Sequence, residues 1–170
     1  MAVIHSNQGD LNIIKMAPCL FILSALILSP GLYAQATIGV IADDPDARPP
    51  VAGIDVKIVQ RAAAILNSPS KWNRSDNRIC PKEARTFSIY CALERATDEL
   101  SGKFEHRGAA MQEARFVIEQ VAPDWEKYDH RLMDYNNDPK TTFADVQRVF
   151  RLLEQRVSKR LKDERKAAKR

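Results

Sequence analysis

The sequence predicts an all-α fold, a compact four-helix domain with a basic, overhanging C-terminal helix. Apolar residues recur at three- and four-residue steps in four separate stretches, as they do on one face of an α-helix. Polar, glycine-containing or proline-containing segments separate these stretches and act as helix stop signals. We therefore place the helical domain at residues 53–157 and a basic helical tail at residues 158–170.

The first helix is expected at Gly53–Leu66. Its apolar positions follow helical spacing, and the run Arg61-Ala-Ala-Ala64 has high helix propensity. The segment Asn67-Ser-Pro-Ser70 ends it. In the polar loop that follows, Trp72 is expected to pin the loop to the core, as a tryptophan in such a loop usually does.

The second helix is expected to be central, beginning near Glu83 and running to Leu100. Its stretch Thr86–Leu93 has eight consecutive uncharged positions, and a helix that is apolar all round is buried. Charge returns from Glu94 onward. We therefore expect the N-terminal half to be enclosed and the C-terminal half to reach solvent.

The third helix is expected from about His106 to Ala122, ending before Pro123. Small residues on its apolar stripe favour close packing against the central helix. The following stretch, Asp124–Lys140, is the least regular part of the chain, with space for one short helical turn. Its aromatic residues should cap one end of the bundle.

The fourth helix begins at a capping-box spacing, Thr142-Phe-Ala-Asp145. An apolar stripe then continues to Val157. If the helix runs to Arg170 it is about 43 Å long, against roughly 21 to 26 Å for the other helices. Its last two or three turns are therefore expected to have no packing partner.

The N-terminus predicts export. Lys15 precedes an apolar run of 13 residues, and Ala34-Gln-Ala36 matches the small-residue cleavage pattern. The run is shorter than the roughly 20 residues that a membrane span needs, although a retained anchor is the alternative. We expect residues 1–36 to be a signal peptide, which places the mature protein in the periplasm or outside the cell. Residues 37–52, rich in proline and charge, then read as a flexible leader.

The positive charge is concentrated in the tail. The whole chain carries a formal net charge of +4, and residues 158–170 alone carry seven basic residues against two acidic ones. The basic residues are Lys159, Arg160, Lys162, Arg165, Lys166, Lys169 and Arg170. They form a candidate site for an anionic lipid surface, with a solvated helix end as the alternative. Nucleic acid is a less suitable partner because no aromatic residue interleaves the cations.

Cys80 and Cys91 are the two cysteines that remain after signal cleavage, and an oxidising compartment favours their pairing. A disulfide closing so short a loop stabilises by up to about 3 kcal/mol. A helix that begins near Glu83 would place Cys91 about 12 Å along its axis, however, and the chain would have to bring Cys80 back that far. The alternative is a free, buried Cys91.

A candidate metal site lies just before the fourth helix. Asp134, Asn136, Asp138 and Asp145 occupy relative positions one, three, five and twelve, as calcium ligands do in an EF-hand loop. Pro139 stands where the loop needs glycine. The alternative is a polar loop in which Asp138 and Thr142 satisfy the free amides of the helix. Calcium is the only cofactor that the sequence suggests.

No catalytic residue is predicted. His106 and His130 have no metal-binding spacing and are expected to be ordinary surface residues. The chain also lacks a Gly-x-Ser-x-Gly motif and a phosphate-cradling glycine loop. We therefore expect a non-enzymatic binding module acting on a protein or envelope surface, with calcium binding, anionic-surface binding and a hydrolase of unrecognised site as alternatives.

Residues 52–157 resemble a small, mostly bacterial and phage domain family of unknown function. The resemblance rests on the alanine-rich first helix followed by Trp72, on the run Tyr90-Cys-Ala-Leu93, and on Asn137-Asp138 with Asp145-Val146 opening the last helix. Glu94 and Cys80 depart from the family pattern. The resemblance implies a compact helical fold and no particular activity.

Overall fold

The computed structural model describes residues 46–170, and in this part of the chain every regular element is helical. The α-helices are α1 (Gly53–Ile65), α2 (Ile89–Ser101), α3 (Ala109–Val121), α4 (Arg131–Asn137) and α5 (Phe143–Ala167). Short 3-10 turns lie at Pro69–Lys71 and Trp125–Lys127. The all-α prediction is confirmed. The sequence predicts four helices, and the described residues contain five, because residues 131–137 form a separate helix.

The core lies where α1 packs on α2 and where α5 packs on α1 and α3. The central part of each helix contributes side chains with little or no exposure. They include Val59 and Ala62 of α1, Ile89 and Leu93 of α2, Ala114 and Val117 of α3, and Val149 and Leu153 of α5. None of the helices in the described residues combines the length and hydropathy that a membrane span requires.

Helix α2 begins later than the sequence suggests. Ser88 is its N-cap, and the Ser88 hydroxyl accepts a hydrogen bond from the Cys91 amide at 3.1 Å. A serine that accepts from an otherwise unpaired amide of the first turn favours a helix start at Ile89 over a start near Glu83. The buried N-terminal half and the exposed C-terminal end agree with expectation.

The late start of α2 also resolves the geometry of the cysteines. Cys91 lies in the first turn, and the Cα atoms of Cys80 and Cys91 are 5.3 Å apart. The two residues are joined in a disulfide. The 12 Å separation expected for a helix starting near Glu83 does not arise, because residues 81–87 remain non-helical.

The described part of the leader is packed against the domain. Its Ala47 carbonyl accepts from Gln112 Nε2 at 2.8 Å, and its Val51 amide donates to Glu164 Oε2 at 2.8 Å. Ala47 and Val51 are also buried. Residues 46–52 therefore differ from the flexible leader that their proline and charge content predicts. Residues 37–45 and the predicted signal peptide lie outside the described residues.

A buried carboxylate ties α5 to the domain. Glu113 of α3 has a fully buried side chain, and it forms ion pairs with Arg156 and with Arg160, the latter at 2.6 Å. Arg160 also forms an ion pair with Glu164 at 2.7 Å. Glu164 in turn accepts the hydrogen bond from the Val51 amide. The predicted overhang from residue 158 is therefore too long, since α5 stays attached through Glu164.

One amide side chain holds the loop before α2 in place. Asn136 of α4 is fully buried, and its Oδ1 accepts from Trp72 Nε1 at 2.9 Å and from the Ile89 amide at 3.2 Å. Its Nδ2 donates to the Asn73 carbonyl at 2.9 Å. Trp72 thus pins the loop to the core as expected, through a partner that was predicted to bind calcium.

Replacing Asn136 with alanine should destabilise the domain by about 3 kcal/mol, because each buried group left without a hydrogen bond costs roughly 1 to 3 kcal/mol. Urea denaturation followed by circular dichroism measures the loss. Gln147→Ala, at an exposed position on α5, is the matched control and should stay within about 0.5 kcal/mol of the native chain. A loss below about 1 kcal/mol for Asn136→Ala would contradict the role given to this amide.

Candidate functional site

A cavity of about 390 Å³ opens between the loop before α2, the start of α3 and the segment that leads into α4. Four arginines line it, together with tyrosine, tryptophan and histidine side chains. The lining residues that matter chemically are Arg78, Tyr90, His106, Arg107, Arg115, Trp125, Tyr128, Asp129, His130 and Arg131. We call this cavity the arginine pocket.

Arg131 has a structural role in the pocket wall. Its guanidinium forms ion pairs with Glu119 and, at 3.3 Å, with Asp46. It also lies over the ring of Trp125, 5.3 Å from the centroid. The charge of Arg131 is therefore already balanced by protein groups.

The other three arginines are not balanced in this way. Arg78, Arg107 and Arg115 form no ion pair with any residue of the range 46–170. Glu126 and Asp129, the acidic residues of the lining, are exposed and pair with no cation in that range. Three arginines of the lining thus form no ion pair in the described chain, and the two carboxylates of the lining are exposed to solvent.

Arg115 is held by neutral acceptors only. Its Nη1 donates to the His106 carbonyl at 3.0 Å and also to the Gln112 side chain, and its Nη2 contacts His106 Nε2 at 3.0 Å. Burial, followed by the positive charge of Arg107, lowers the pKa of Arg115 to about 10. A partly buried cation beside other cations is electrostatically unfavourable, and an anion in the pocket would relieve it.

The contact with Arg115 fixes the tautomer of His106. An arginine can only donate, so His106 Nε2 accepts, and the neutral ring must carry its proton on Nδ1. That Nδ1–H then donates to the Tyr90 hydroxyl oxygen at 3.2 Å. Loss of hydration, followed by repulsion from Arg115 and Arg107, lowers the pKa of His106 to about 4, so the ring is neutral at pH 7.

The Tyr90 hydroxyl is consequently left as a donor. Its oxygen accepts from His106, and its own hydrogen is available to another acceptor. Burial, and next the charge of Glu94, raise the pKa of Tyr90, so this hydrogen is retained at neutral pH. The Tyr90 ring packs edge-on against Phe104 at 5.8 Å between centroids.

Arg78 lines the pocket from a backbone conformation that arginine rarely adopts. Its φ is +60°, the only positive value for a non-glycine residue in the described chain. The Asp76 carboxylate accepts from the Arg78 amide at 2.8 Å, and the Asn137 side chain holds Asp76 through both backbone groups, at 2.7 and 2.8 Å. The neighbouring disulfide at Cys80 fixes the other side of this turn.

The residues of the predicted calcium loop have other roles. Asp134 accepts from the His130 amide at 2.8 Å, and Asp138 accepts from the Lys140 amide at 2.8 Å. Asp145 forms the capping box with Thr142, as the spacing predicts. Residues 131–137 form a helix, so Asp134 and Asn136 lie on helical backbone, and calcium binding by these residues stays a prediction. Within residues 46–170, no three histidine, cysteine, aspartate or glutamate side chains are grouped to hold a metal ion.

The seven basic residues of the tail are not equivalent. Arg160 is partly buried and pairs with Glu113 and Glu164, and Lys159 pairs with Asp163 at 2.7 Å. The other five cations are exposed and form no ion pair with a described residue. They are Lys162, Arg165, Lys166, Lys169 and Arg170.

The pocket could not be read from the sequence. His106 and His130 are exposed, as expected of surface residues, and in addition both line one cavity. The three unpaired arginines are dispersed at positions 78, 107 and 115, on three different segments. The one local signal is Asp76-Asn77 before Arg78, since both side chains favour turns.

A family model for a family of unknown function (DUF6197) matches residues 54–156. The chain belongs to this family, and the resemblance seen in the sequence is confirmed. All three unpaired arginines of the pocket lie within the matched range. No curated protein and no solved structure matches the chain.

The pKa of His106 predicts a pH dependence of stability. Its folded pKa of about 4 lies below its ordinary value of 6.5, so the unfolded chain binds the proton more readily. Stability should therefore fall as pH decreases from about 6.5 to about 4, with no contribution from this group above that window. His106→Gln should remove this part of the decrease, as urea denaturation at a series of pH values would measure. An imidazole NMR titration of His106 with a midpoint near 6.5 would contradict the assignment.

Proposed function

We propose that this protein is an exported, non-enzymatic binding module whose arginine pocket takes a small organic anion. One observation carries the proposal: Arg78, Arg107 and Arg115 line a single cavity, and none of them forms an ion pair with a residue of the range 46–170. Guanidinium groups are well suited to carboxylates and phosphates because they present paired donors in a fixed plane. The Tyr90 hydroxyl adds a further donor.

The same lining favours binding over catalysis. Both ring nitrogens of His106 are engaged, one by Arg115 and one by Tyr90. The neutral imidazole therefore has no free lone pair with which to take a proton from a ligand. The Tyr90 hydroxyl keeps its proton at neutral pH, so it is suited to donating a hydrogen bond rather than to nucleophilic attack.

Export is supported by two independent features. The first 36 residues have the order of a secretory signal. The disulfide between Cys80 and Cys91 suits the oxidising periplasm or the cell exterior. An exported binding module would meet its ligand in the envelope or outside the cell.

Titration calorimetry with benzoate and phenyl sulfate, two monoanionic aromatic probes, tests the pocket. We expect at least one to bind with heat that saturates, and Arg107→Met to weaken it at least tenfold, because the removed charge has no other partner in the described structure. Arg151→Met, at an exposed position on α5, is the matched control and should leave the affinity unchanged. Binding that survives Arg107→Met would overturn the assignment of the site.

A second candidate function is contact between the tail and an anionic lipid surface. The observation that favours it is the set of five exposed cations at positions 162–170, which form no ion pair with a described residue and lie in the last turns of α5 and just beyond its end. Each basic residue near an anionic membrane contributes about 1 kcal/mol, and this contribution decreases with salt.

Sedimentation with phosphatidylglycerol vesicles tests the tail. Replacing Lys166, Lys169 and Arg170 with glutamine should weaken binding about 100-fold at low salt, from about 1 kcal/mol per cation. The contacts of Arg160 and Glu164 with Pro49 and Val51 remain intact in this variant. Glutamine at Lys57, Lys71 and Lys140, which are exposed elsewhere, removes the same charge and is the control. Equal weakening by both variants would show that net charge, rather than the tail, drives the association.

A further inference from the structure

We infer that the arginine pocket recognises a small molecule that carries a phosphate monoester in its dianionic form. This inference rests on the proposed anion-binding function and specifies its ligand. It follows from the charge of the pocket, from the direction of its hydrogen-bonding groups and from its size.

The charge favours a dianion over a monoanion. Three arginines without an ion pair line the cavity, and Arg131, the fourth, is already neutralised by Glu119 and Asp46. The two carboxylates of the lining, Glu126 and Asp129, are exposed, so water screens their charge more than that of the partly buried Arg115. A carboxylate or a sulfate ester would balance one of the three charges. A phosphate monoester carries between about 1.5 and 2 negative charges at pH 7 and balances more of them.

The hydrogen-bonding groups favour a three-oxygen acceptor. The inner pocket offers donors, because Arg115, Arg107 and Arg78 only donate and the Tyr90 hydroxyl has its hydrogen to give. The acceptor nitrogen of His106 is already used by Arg115. These donors come from four segments, before α2, on α2, before α3 and on α3, so they approach the cavity from different parts of the fold. A tetrahedral phosphate ester accepts in several directions, whereas a carboxylate accepts in one plane.

The backbone at Arg78 supports a recognition role. A non-glycine residue in the left-handed region costs of order 1 to 3 kcal/mol, and such residues cluster at ligand-binding sites. Two other interactions hold this turn, the Asp76 carboxylate and the disulfide at Cys80. The strain is explained if the Arg78 guanidinium has to reach the pocket.

The size of the cavity indicates an ester rather than free phosphate. The volume of about 390 Å³ lies within the range of about 300 to 1,000 Å³ that is usual for small-molecule sites. Trp125, Tyr128 and Met133 provide apolar surface beyond the arginines. The ligand therefore has an organic part that contacts this wall.

Phenyl phosphate and phenyl sulfate are matched probes, since they share their shape and differ in charge. Titration calorimetry at pH 7.5 and low salt should give at least tenfold tighter binding for phenyl phosphate than for phenyl sulfate. It should also give tighter binding for phenyl phosphate than for inorganic phosphate, because the ring contacts the apolar wall. Equal affinity for phenyl phosphate, phenyl sulfate and benzoate would overturn the dianion inference and leave the proposed anion-binding function standing. No binding of any of these probes would overturn both.

The variant Arg78→Gly tests the site without risk to the fold. Glycine adopts the left-handed conformation freely, so the variant should melt at the same or a higher temperature than the native chain. It should nevertheless bind phenyl phosphate at least tenfold more weakly. Arg85→Gly, exposed in the same loop, is the matched control and should keep the native affinity. Native affinity in both Arg78→Gly and Arg107→Met would overturn the inference.

Discussion

The carboxamide of Asn136 is the interaction on which the loop before α2 depends. The segment between α1 and α2 has only one short 3-10 turn of its own, so its conformation has to come from contacts with the rest of the domain. Asn136 supplies these contacts as hydrogen bonds. Its Oδ1 accepts from the Trp72 indole and from the Ile89 amide, the first of α2, and its Nδ2 donates to the Asn73 carbonyl. A buried amide that is fully hydrogen-bonded permits few alternative arrangements of its partners. The next residue, Asn137, and the disulfide at Cys80 then hold the turn that contains Arg78 in the same loop.

The same residue shows why a site can be misread from sequence. An asparagine oxygen two residues after Asp134 matches the spacing of a calcium ligand, and nothing local distinguishes that role from a structural one. The difference is tertiary, because Trp72 reaches Asn136 across 64 residues of sequence. Periodicity cannot report a partner at that distance. A helix of seven residues, α4, is also too short for an apolar repeat to be recognised.

Helices α1, α3 and α5 could be placed from the sequence, since their apolar residues repeat at helical spacing and their ends carry caps or breakers. The start of α2 could not be placed from the sequence. The residues Glu83-Ala-Arg85 favour a helix, whereas the Ser88 cap and the disulfide make the helix begin later, at Ile89. The tail was read as free because its cations outnumber its acids. That comparison of charges covers the tail alone, and the buried partner of Arg160 is Glu113, which lies 47 residues earlier in the sequence. The pocket combines residues from several segments that are distant in sequence, so its existence depends on the fold.

The strap formed by residues 46–52 brings the point where the chain enters the domain next to the point where it leaves. Val51 is hydrogen-bonded to Glu164, and the Pro49 carbonyl to Arg160. Adjacent ends are the arrangement that tolerates circular permutation and insertion into a host loop. The domain could therefore be inserted into a loop of a host protein, with both junctions on the same side of the domain.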